Sequence, residues 1–343
     1  MIPAAAPKVF VCILNWNKRD DTLRCIDAVL AQDYPNLRTV VIDNASTDDS
    51  LSALRALGDR IDLIEHAENL GYTGGCNAGM RHALANGGDY VWLLNNDSDC
   101  EPDTLSRLVA YAEARPDVGM VTPIIVNRRT GKDCFAVGRF DLVTGLGEET
   151  AGVAEAEAMQ EQYPRNVLLK GTALLVKRAL IEKIGFLDDR FFAYMEDSDY
   201  CVRCAVAEFR AACVTTARIY HDEGLPDGGW RKPYAYYYMM RNGILFWHKH
   251  ASGLASWKCL RWYACTVFRM IARSGYGRAE TEAFADGLWS GLRGITGRWE
   301  PSRPSHRMPS PLRRLFAAKP ALTFALMEAN PKGVLRAISS RSG

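Results

Sequence analysis

The sequence predicts an α/β protein with a mostly parallel central sheet, helices on both faces, and a helical C-terminal region. Three observations carry this prediction. Strand-like and helix-like segments alternate from residue 8 onward. The strand-like segments are continuously apolar, as expected of strands covered on both faces. Three of them end in acids or amides: Asp43 after "TVVI", Asn95 to Asp99 after "YVWLL", and His221-Asp222 after "ARIY". In a parallel sheet such ends gather along one edge, where open α/β sheets bind ligands.

In order, "KVFVCILNW" is rich in β-branched and aromatic residues and reads as the first strand. "DDTLRCIDAVLAQ" spaces Leu23, Ile26, Val29 and Leu30 close to the helical period. "LRTVVID" is the second strand. "STDDSLSALRALG" opens on capping residues and ends at Gly58, as a helix would. "IDLIEHA", "GGCNAGMRHALAN", "YVWLLNN", "PDTLSRLVAYAEA" and "VGMVTPIIV" continue the alternation. Residues 128–165 carry Gly, Thr and Glu and read as a hairpin followed by a mobile loop. "VLLKGTALLVKRALIEKIG" returns to strand then helix, and "RAACVTTARIYHDEG" is a further strand. "KPYAYYYMMRNGILFWHKH" is a helix with Pro233 near its start. The tail from about residue 251 is helical until "PSRPSHRMPSP" breaks it up.

With 343 residues, 48% of them apolar, the chain has room for more than one compact unit. Its net charge of +2 shows no excess of the kind nucleic-acid binding needs, so no nucleic-acid partner is expected. The charge is unevenly spread, however. Residues 251–343 hold 15 Lys and Arg against 5 Asp and Glu, a net of +10, which points the tail toward something acidic. Within it, "LASWKCLRWYACTVFRMIARS" wound as a helix puts Lys258, Arg261, Arg269 and Arg273 on one face. Leu260, Tyr263, Val267, Met270 and Ile271 fall on the other, with Trp257 and Phe268 near its edge and Trp262 on the basic side. That pattern suits a helix lying in an anionic membrane surface. The alternative is an apolar face packed on the catalytic part of the chain or on a second subunit, as in a homodimer. The opening "MIPAAAPKVF" shows no signal peptide, so the cysteines read as reduced thiols of a cytoplasmic protein. Cys201-x-x-Cys204 reads as a packing pair.

Asp97 and Asp99 are one residue apart, so an extended chain would project both carboxylates to one side. Hard oxygen ligands suit Mg²⁺ or Mn²⁺, particularly with a diphosphate completing the shell. An Asx turn capping the next helix is the plainer reading, and the two are compatible. "NLGYTGGCNAG" is a Gly-rich loop entering a helix, whose N–H groups suit phosphate or sugar oxygens. It matches neither a dinucleotide fingerprint nor a P-loop. "FFAYMEDSDYCVRC" sets Glu196, Asp197 and Asp199 among aromatics. Apolar walls raise a carboxylate's proton affinity, which suits a general base. Acids stabilising a helix start explain the same pattern.

"ILNWN", "VIDNASTDDS", "ENLGYTGGCNAGM", "WLLNNDSD", "FFAYMEDSDYCVR" and "YYYMMRN", in this order, resemble the family 2 glycosyltransferases of GT-A fold. The similarity is to bacterial rhamnosyltransferase-like enzymes of cell-surface polysaccharide assembly. It implies a catalytic domain over residues 1–250 and a basic helical region over 251–343. The nucleotide-sugar half of that domain would span about 1–125 and the acceptor half about 126–250. It also implies an inverting transfer from a nucleotide-diphospho-sugar donor to a glycan or lipid-linked acceptor, at the inner face of the cytoplasmic membrane. "NND" stands at the family's Asp-x-Asp element, so the resemblance assigns Asp97 to the metal, with Asp99 and His221 as further contacts. Asn95 replaces an Asp of many relatives. Asn15, Asp43, Asn69, Gly74, Gly75, Asn77 and Asn96 would form the nucleotide-sugar pocket, and Arg241 would meet diphosphate or acceptor. Asp197 would be the catalytic base. A sugar-nucleotide pyrophosphorylase shares such a sheet but needs an N-terminal Gly-rich, basic loop that "NWNKRDD" does not supply. A non-catalytic nucleotide-sugar-binding scaffold is the other alternative, and it would not need both Asp97 and Asp197.

Overall fold

The computed structural model describes residues 6–144, 147–221, 232–273, 275 and 277–318. Asp222 therefore lies outside the described residues. By its contacts the chain divides into two units. The first takes in Met1–Phe140, Gly147–Phe192 and Glu196–Glu223, and the second Asp141–Leu146, Ala193–Met195 and Gly224–Gly343.

The first unit alternates as the sequence predicts. It runs β1 (Val9–Asn15), α1 (Arg19–Leu30), β2 (Leu37–Asp43), α2 (Ser50–Arg55), β3 (Asp62–Glu65), α3 (Gly71–Ala85) and β4 (Tyr90–Asn95). Next come β5 (Ser98–Cys100), α4 (Thr104–Glu113), β6 (Val118–Asn127), β7 (Asp133–Phe135), β8 (Val137–Phe140) and β9 (Gly147–Thr150). It closes with α5 (Val153–Gln162), β10 (Ala173–Lys177), α6 (Arg178–Ile184), α7 (Glu196–Val206) and β11 (Arg210–His221). The sheet order is β3-β2-β1-β4-β10-β6-β11-β5, with β7 beside β6. The β3-β2-β1-β4 and β6-β11 pairings are parallel, whereas β10 runs against both of its neighbours.

Both faces are covered, which is why the strands read as continuous apolar runs. On β1, Val9, Val11 and Ile13 pack with Ile26 and Val29 of α1 and Leu105 and Leu108 of α4. Phe10 and Cys12 point the other way, into a core with Cys76, Met80 and Ala83 of α3. Cys201 and Cys204 are buried in that same core, and the Leu169 N–H donates to Cys201 Sγ at 3.2 Å. This is the packing role expected of the pair.

One expectation fails between residues 128 and 165. The hairpin forms, as β8 and β9, but α5 stands where a mobile loop is expected. The α5 sequence, VAEAEAMQEQ, is made of strong helix formers yet buries only Ala156 and Gln160. It has propensity without an apolar stripe, so periodicity could not reveal it.

The second unit is helical: α8 (Pro233–His250), α9 (Gly253–Arg273), α10 (Arg278–Leu292) and α11 (Ser310–Ala318). Here the expectation for the tail is corrected. Tyr263, Val267, Phe268 and Ile271, the apolar face of α9, are buried against this chain's own helices. Phe268 meets Phe284 of α10 edge-on at 5.0 Å. The Tyr263 ring fills the space beside Gly243 of α8, where an added Cβ would lie 2.2 Å from it. That face is not available to lipid. What α9 leaves exposed is Trp257, Lys258, Arg261, Arg269 and Arg273.

Candidate active site

The strand ends meet as parallel register requires. Asn15 ends β1 beside Asp43 of β2, and Leu14 pairs with Asn95 of β4. At the β1–β2 end the polar groups bind one another. Asn15 Nδ2 donates to Asp43 Oδ1 (2.8 Å) and Ser46 Oγ (2.9 Å), and its Oδ1 accepts from Thr22 Oγ1 (2.7 Å). Asp43 Oδ2 accepts the Ser46 N–H (3.0 Å). Asn96 Nδ2 joins through Thr22 Oγ1 (2.8 Å).

The Gly-rich segment differs from its sequence reading. The helix begins at Gly71, so Gly74 and Gly75 lie inside α3 rather than in a loop before it. A Cβ on Gly75 would lie 2.2 Å from Leu14 Cδ1, and one on Gly74 2.6 Å from Leu70 Cβ. Gly75 thus lets α3 close onto β1. Asn69 Oδ1 accepts the Gly71 N–H at 2.8 Å, and Phe192 O takes the Thr73 N–H at 3.2 Å, so part of the helix N-terminus is already engaged. Asn77 is fully buried. Its Nδ2 donates to Leu187 O (2.9 Å) and Asp189 Oδ1 (2.6 Å), and its Oδ1 accepts the Leu187 N–H (3.0 Å). It holds the 187–189 segment.

The stretch after β4 is a turn at Asn96 and Asp97, followed by β5 paired against β11, with Ser98 opposite His221. His221 Nε2 lies 2.9 Å from Asp97 Oδ1, within ion-pair range but not aligned for a hydrogen bond. Asn95 Nδ2 is 3.5 Å from the same ring nitrogen. Burial opposes the Asp97 charge, but the His221 ring, a backbone N–H and Lys18 together hold the carboxyl below its ordinary value. Asp99 faces elsewhere. Its carboxylate lies between Arg128 Nη2 (2.9 Å) and Arg24 Nε (3.4 Å), so its charge is already balanced. Arg128 Nη2 also donates to the carbonyl of Asp97 (3.0 Å), pinning the turn. Among the described residues no group of three or more His, Cys, Asp or Glu side chains is placed to hold a metal.

Asp197 stands in the first turn of α7. Its Oδ2 accepts the Gly171 N–H (3.0 Å) and its Oδ1 the Ser198 N–H (2.6 Å). The neighbouring Thr172 carbonyl takes the N–H of Asn95 (2.9 Å), which ties Asp197's support to the end of β4. Tyr72 Oη braces the same segment through Gly171 O (2.6 Å). Burial raises the proton affinity of Asp197, against the pull of the Gly171 and Ser198 N–H groups and Lys170. Glu196 is 6% exposed, its Oε2 has no hydrogen-bond partner among the described residues, and burial pushes its carboxyl well up. Asp199 is wholly buried against Arg203 (2.8 Å), a structural pair.

Arg241 belongs to the second unit and is 2% exposed. Its Nε donates to Asn242 Oδ1 (2.8 Å) and its Nη1 to Gly297 O (2.6 Å), over the face of Tyr238. Sequence reasoning passed over Asn44, which joins Leu70, Gly71 and Asn69 around the entry to α3. It also passed over Tyr72 and Arg128. Tyr72 lies within a quoted motif, whereas nothing in "NRRT" marks Arg128 as a clamp.

Solved structures of similar fold place the chain in a class. The mannosyltransferase PcManGT from Pyrobaculum calidifontis, in complex with GDP-Man and Mn²⁺, matches with TM-score 0.54 and 20% identity, over 98% of this chain and 87% of that one. S. aureus TarS 1-349 in complex with UDP matches with TM-score 0.57 and 13% identity, over 96% and 88%. At such identities the likeness is one of fold, and the fold is that of the GT-A glycosyltransferases.

The chain belongs to glycosyl transferase family 2, whose description matches residues 10–185, just over half of its length. Similar proteins include the low-salt glycan biosynthesis hexosyltransferase Agl10 of Haloferax volcanii, 25% identical over 60% of this chain and 66% of that protein. The galactofuranosyltransferase GlfT1 of Mycobacterium tuberculosis is 30% identical over 54% and 60%. The N-acetylglucosaminyl-diphospho-decaprenol L-rhamnosyltransferase of the same species is 26% identical over 58% and 70%. The chain thus spans about three-fifths to seven-tenths of the length of these relatives.

Proposed function

We propose that the protein is a metal-dependent, inverting glycosyltransferase. It moves a sugar from a nucleotide-diphospho-sugar to a hydroxyl of a glycan or lipid-linked acceptor in cell-surface polysaccharide synthesis. The observation that carries this reading is a pairing on one strand-end edge. Asp97 Oδ1 and His221 Nε2 lie 2.9 Å apart, Asp97 Oδ1 is buried with no aligned hydrogen bond among the described residues, and Asp197 is tied to the same edge through the segment at Gly171 and Thr172.

These residues fit Mg²⁺ or Mn²⁺. One carboxylate and one imidazole are too few for a dedicated cage, but suit an ion that shares its shell with water and a substrate diphosphate. When bound, the ion would neutralise charge growing on the departing nucleotide diphosphate. Asp97 and His221 would hold it, while Arg128 keeps the Asp97 turn in place. Asp197 takes the proton of the acceptor hydroxyl as that oxygen bonds to the anomeric carbon and the bond to the diphosphate breaks. Its raised proton affinity suits it to that transfer. Attack from the face opposite the leaving group inverts the configuration. The nucleotide lies near Asn15, Asp43 and Asn69; the Asn15–Asp43 hydrogen bond and those Asn69 accepts from Asn44 and Gly71 fix their orientation before it arrives.

Thermal-shift measurements with UDP-, GDP- and dTDP-sugars test this reading. A donor should raise the melting temperature with Mn²⁺ present and lose that effect with chelator. No shift with any nucleotide sugar, at any metal concentration, would remove the reading.

A location at the inner face of the cytoplasmic membrane is part of the proposal. The exposed Lys258, Arg261, Arg269 and Arg273 supply attraction to anionic lipid, screened by salt. The full chain should float with anionic vesicles at low salt and detach at high salt. Absence from the vesicle fraction at every salt concentration would leave α9 a packing element alone.

A further inference from the structure

Arg128 follows β6 directly, and β6 ends beside β11, with Asn127 opposite His221. From there one residue reaches both halves of the Asp97–His221 pair. Its backbone N–H donates to the His221 carbonyl (3.2 Å). Its Nη2 donates to the carbonyls of Asp97 (3.0 Å) and Tyr220 (3.3 Å) and lies 2.9 Å from Asp99 Oδ2. Arg24 of α1 approaches the other Asp99 oxygen at 3.4 Å. All of these residues belong to the first unit.

This arrangement separates the two carboxylates that follow β4. Alternation would send both to one side only if the chain stayed extended. The chain instead turns at Asn96 and Asp97 and enters β5 at Ser98. Asp99, held between two guanidinium groups, has its charge balanced, and an incoming cation would have to displace them. A guanidinium is planar and always charged, so it grips carboxylate and carbonyl oxygens in a fixed geometry. The turn at Asp97 and the strand end at His221 cannot drift apart without breaking a hydrogen bond to Arg128. We propose that Arg128 is a positioning residue for the metal site, with Asp99 as its counter-charge and not a ligand. Arg128 sets the separation of Asp97 and His221, and Asp99 keeps the guanidinium seated on the Asp97 carbonyl. This inference rests on the reading of Asp97 and His221 as the residues that hold the ion. It takes Asp99 out of the ligand set that the family resemblance implies.

The probe is Mn²⁺, titrated into the full chain with UDP, GDP or dTDP present and followed by electron paramagnetic resonance, so that no turnover is involved. In the parent, bound Mn²⁺ should show coupling to an imidazole nitrogen. Arg128→Ala should weaken Mn²⁺ binding by about 10–100-fold, the usual scale for groups that orient metal ligands, and should reduce that coupling. Removing a nearby positive charge would by itself strengthen cation binding, so a weaker site reports lost positioning. Asp99→Asn still accepts from Arg128 and should weaken binding by only about two- to fivefold, the scale of a partly exposed ion pair. Asp97→Ala should cost as much as Arg128→Ala, and the two together less than their product. Should Arg128→Ala fail to fold, Arg128→Lys keeps the charge without the fork and should weaken binding by about three- to tenfold. Parent-like affinity in the Arg128 variant, or weakened affinity with the nitrogen coupling unchanged, overturns the proposal. A loss at Asp99→Asn as large as that at Asp97→Ala makes Asp99 a ligand and overturns it too. If Asp97→Ala binds Mn²⁺ as the parent does, the metal reading itself fails, and this proposal with it.

Discussion

Two ends of one sheet edge treat their polar side chains differently. At β1 and β2, Asn15, Asp43, Thr22, Ser46 and Asn96 satisfy one another. A little further on, Asn77 spends its amide on residues 187–189. Where β4 and β11 end and β5 and α7 begin, Asp97 Oδ1, His221 Nδ1 and Glu196 Oε2 are buried without an aligned hydrogen bond among the described residues. Buried polar groups are nearly always paired, so each exception calls for a reason. The difference separates polar groups that build the platform from those that await a ligand or a proton. Substitutions in the first region should cost stability, with donor binding affected too at Asn15 and Asp43, and substitutions at Asp97 and His221 should cost activity.

The largest effect is expected at Asp197. Asp197→Asn keeps the shape and removes the basic oxygen, so turnover should fall about 10²–10⁴-fold with donor binding nearly unchanged. Steady-state kinetics beside calorimetric donor titration would separate the two. Near-normal turnover would shift the role to Glu196. Because the proton affinity of Asp197 is raised by burial, and the base must be unprotonated, the acid limb of kcat/KM should lie above the ordinary carboxylate range.

Next is Asp97. Asp97→Ala should weaken donor binding about 10–100-fold with Mn²⁺ present, the usual scale for disturbing a metal site. It should change little in chelator. Equal loss with and without the ion would reduce Asp97 to a turn residue.

Asn77 tests the other side of the comparison. Asn77→Ala strands the Leu187 N–H and carbonyl and should cost about 1–3 kcal/mol of stability, read from the denaturant midpoint. A variant as stable as the parent would break the contrast between the two regions.

The smallest effect is expected at Glu196. Burial lifts its folded-state proton affinity well above the unfolded value. The folded chain therefore keeps a proton that the unfolded chain releases as pH rises above about 4.5, and stability drains away over that window. Glu196→Gln removes this dependence. Its advantage in melting temperature should grow from near zero at pH 4 to a few degrees at pH 8. A pH-independent difference would mean that Glu196 is not the group responsible.

The sheet was legible because strands covered on both faces leave unbroken apolar runs, and α8 because Pro233 and its aromatic spacing mark it. The family motifs were legible as strings, but their partners were not. Asp99 faces Arg24 and Arg128, and Asn77 faces Leu187 and Asp189. These partners lie far off in the chain, so spacing says nothing of them. Gly74 and Gly75 fall in a segment that reads as a Gly-rich loop entering a helix. In the structure the helix already begins at Gly71, and Leu70 and Leu14 occupy the space of the missing side chains. On α9 the two faces were correctly divided, yet an apolar stripe looks the same whether lipid or protein covers it.

That last burial limits how firmly α9 could grip a bilayer. A helix that inserted its stripe would gain from every buried methylene and stay put. With Tyr263, Val267, Phe268 and Ile271 already enclosed, α9 has Trp257 and four basic side chains to offer, each of the four worth about 1 kcal/mol near an anionic surface. An attachment through α9 of that strength would be a brief dwell. A catalyst held this way would sample one acceptor after another across the leaflet, and a modest rise in ionic strength would return it to solution.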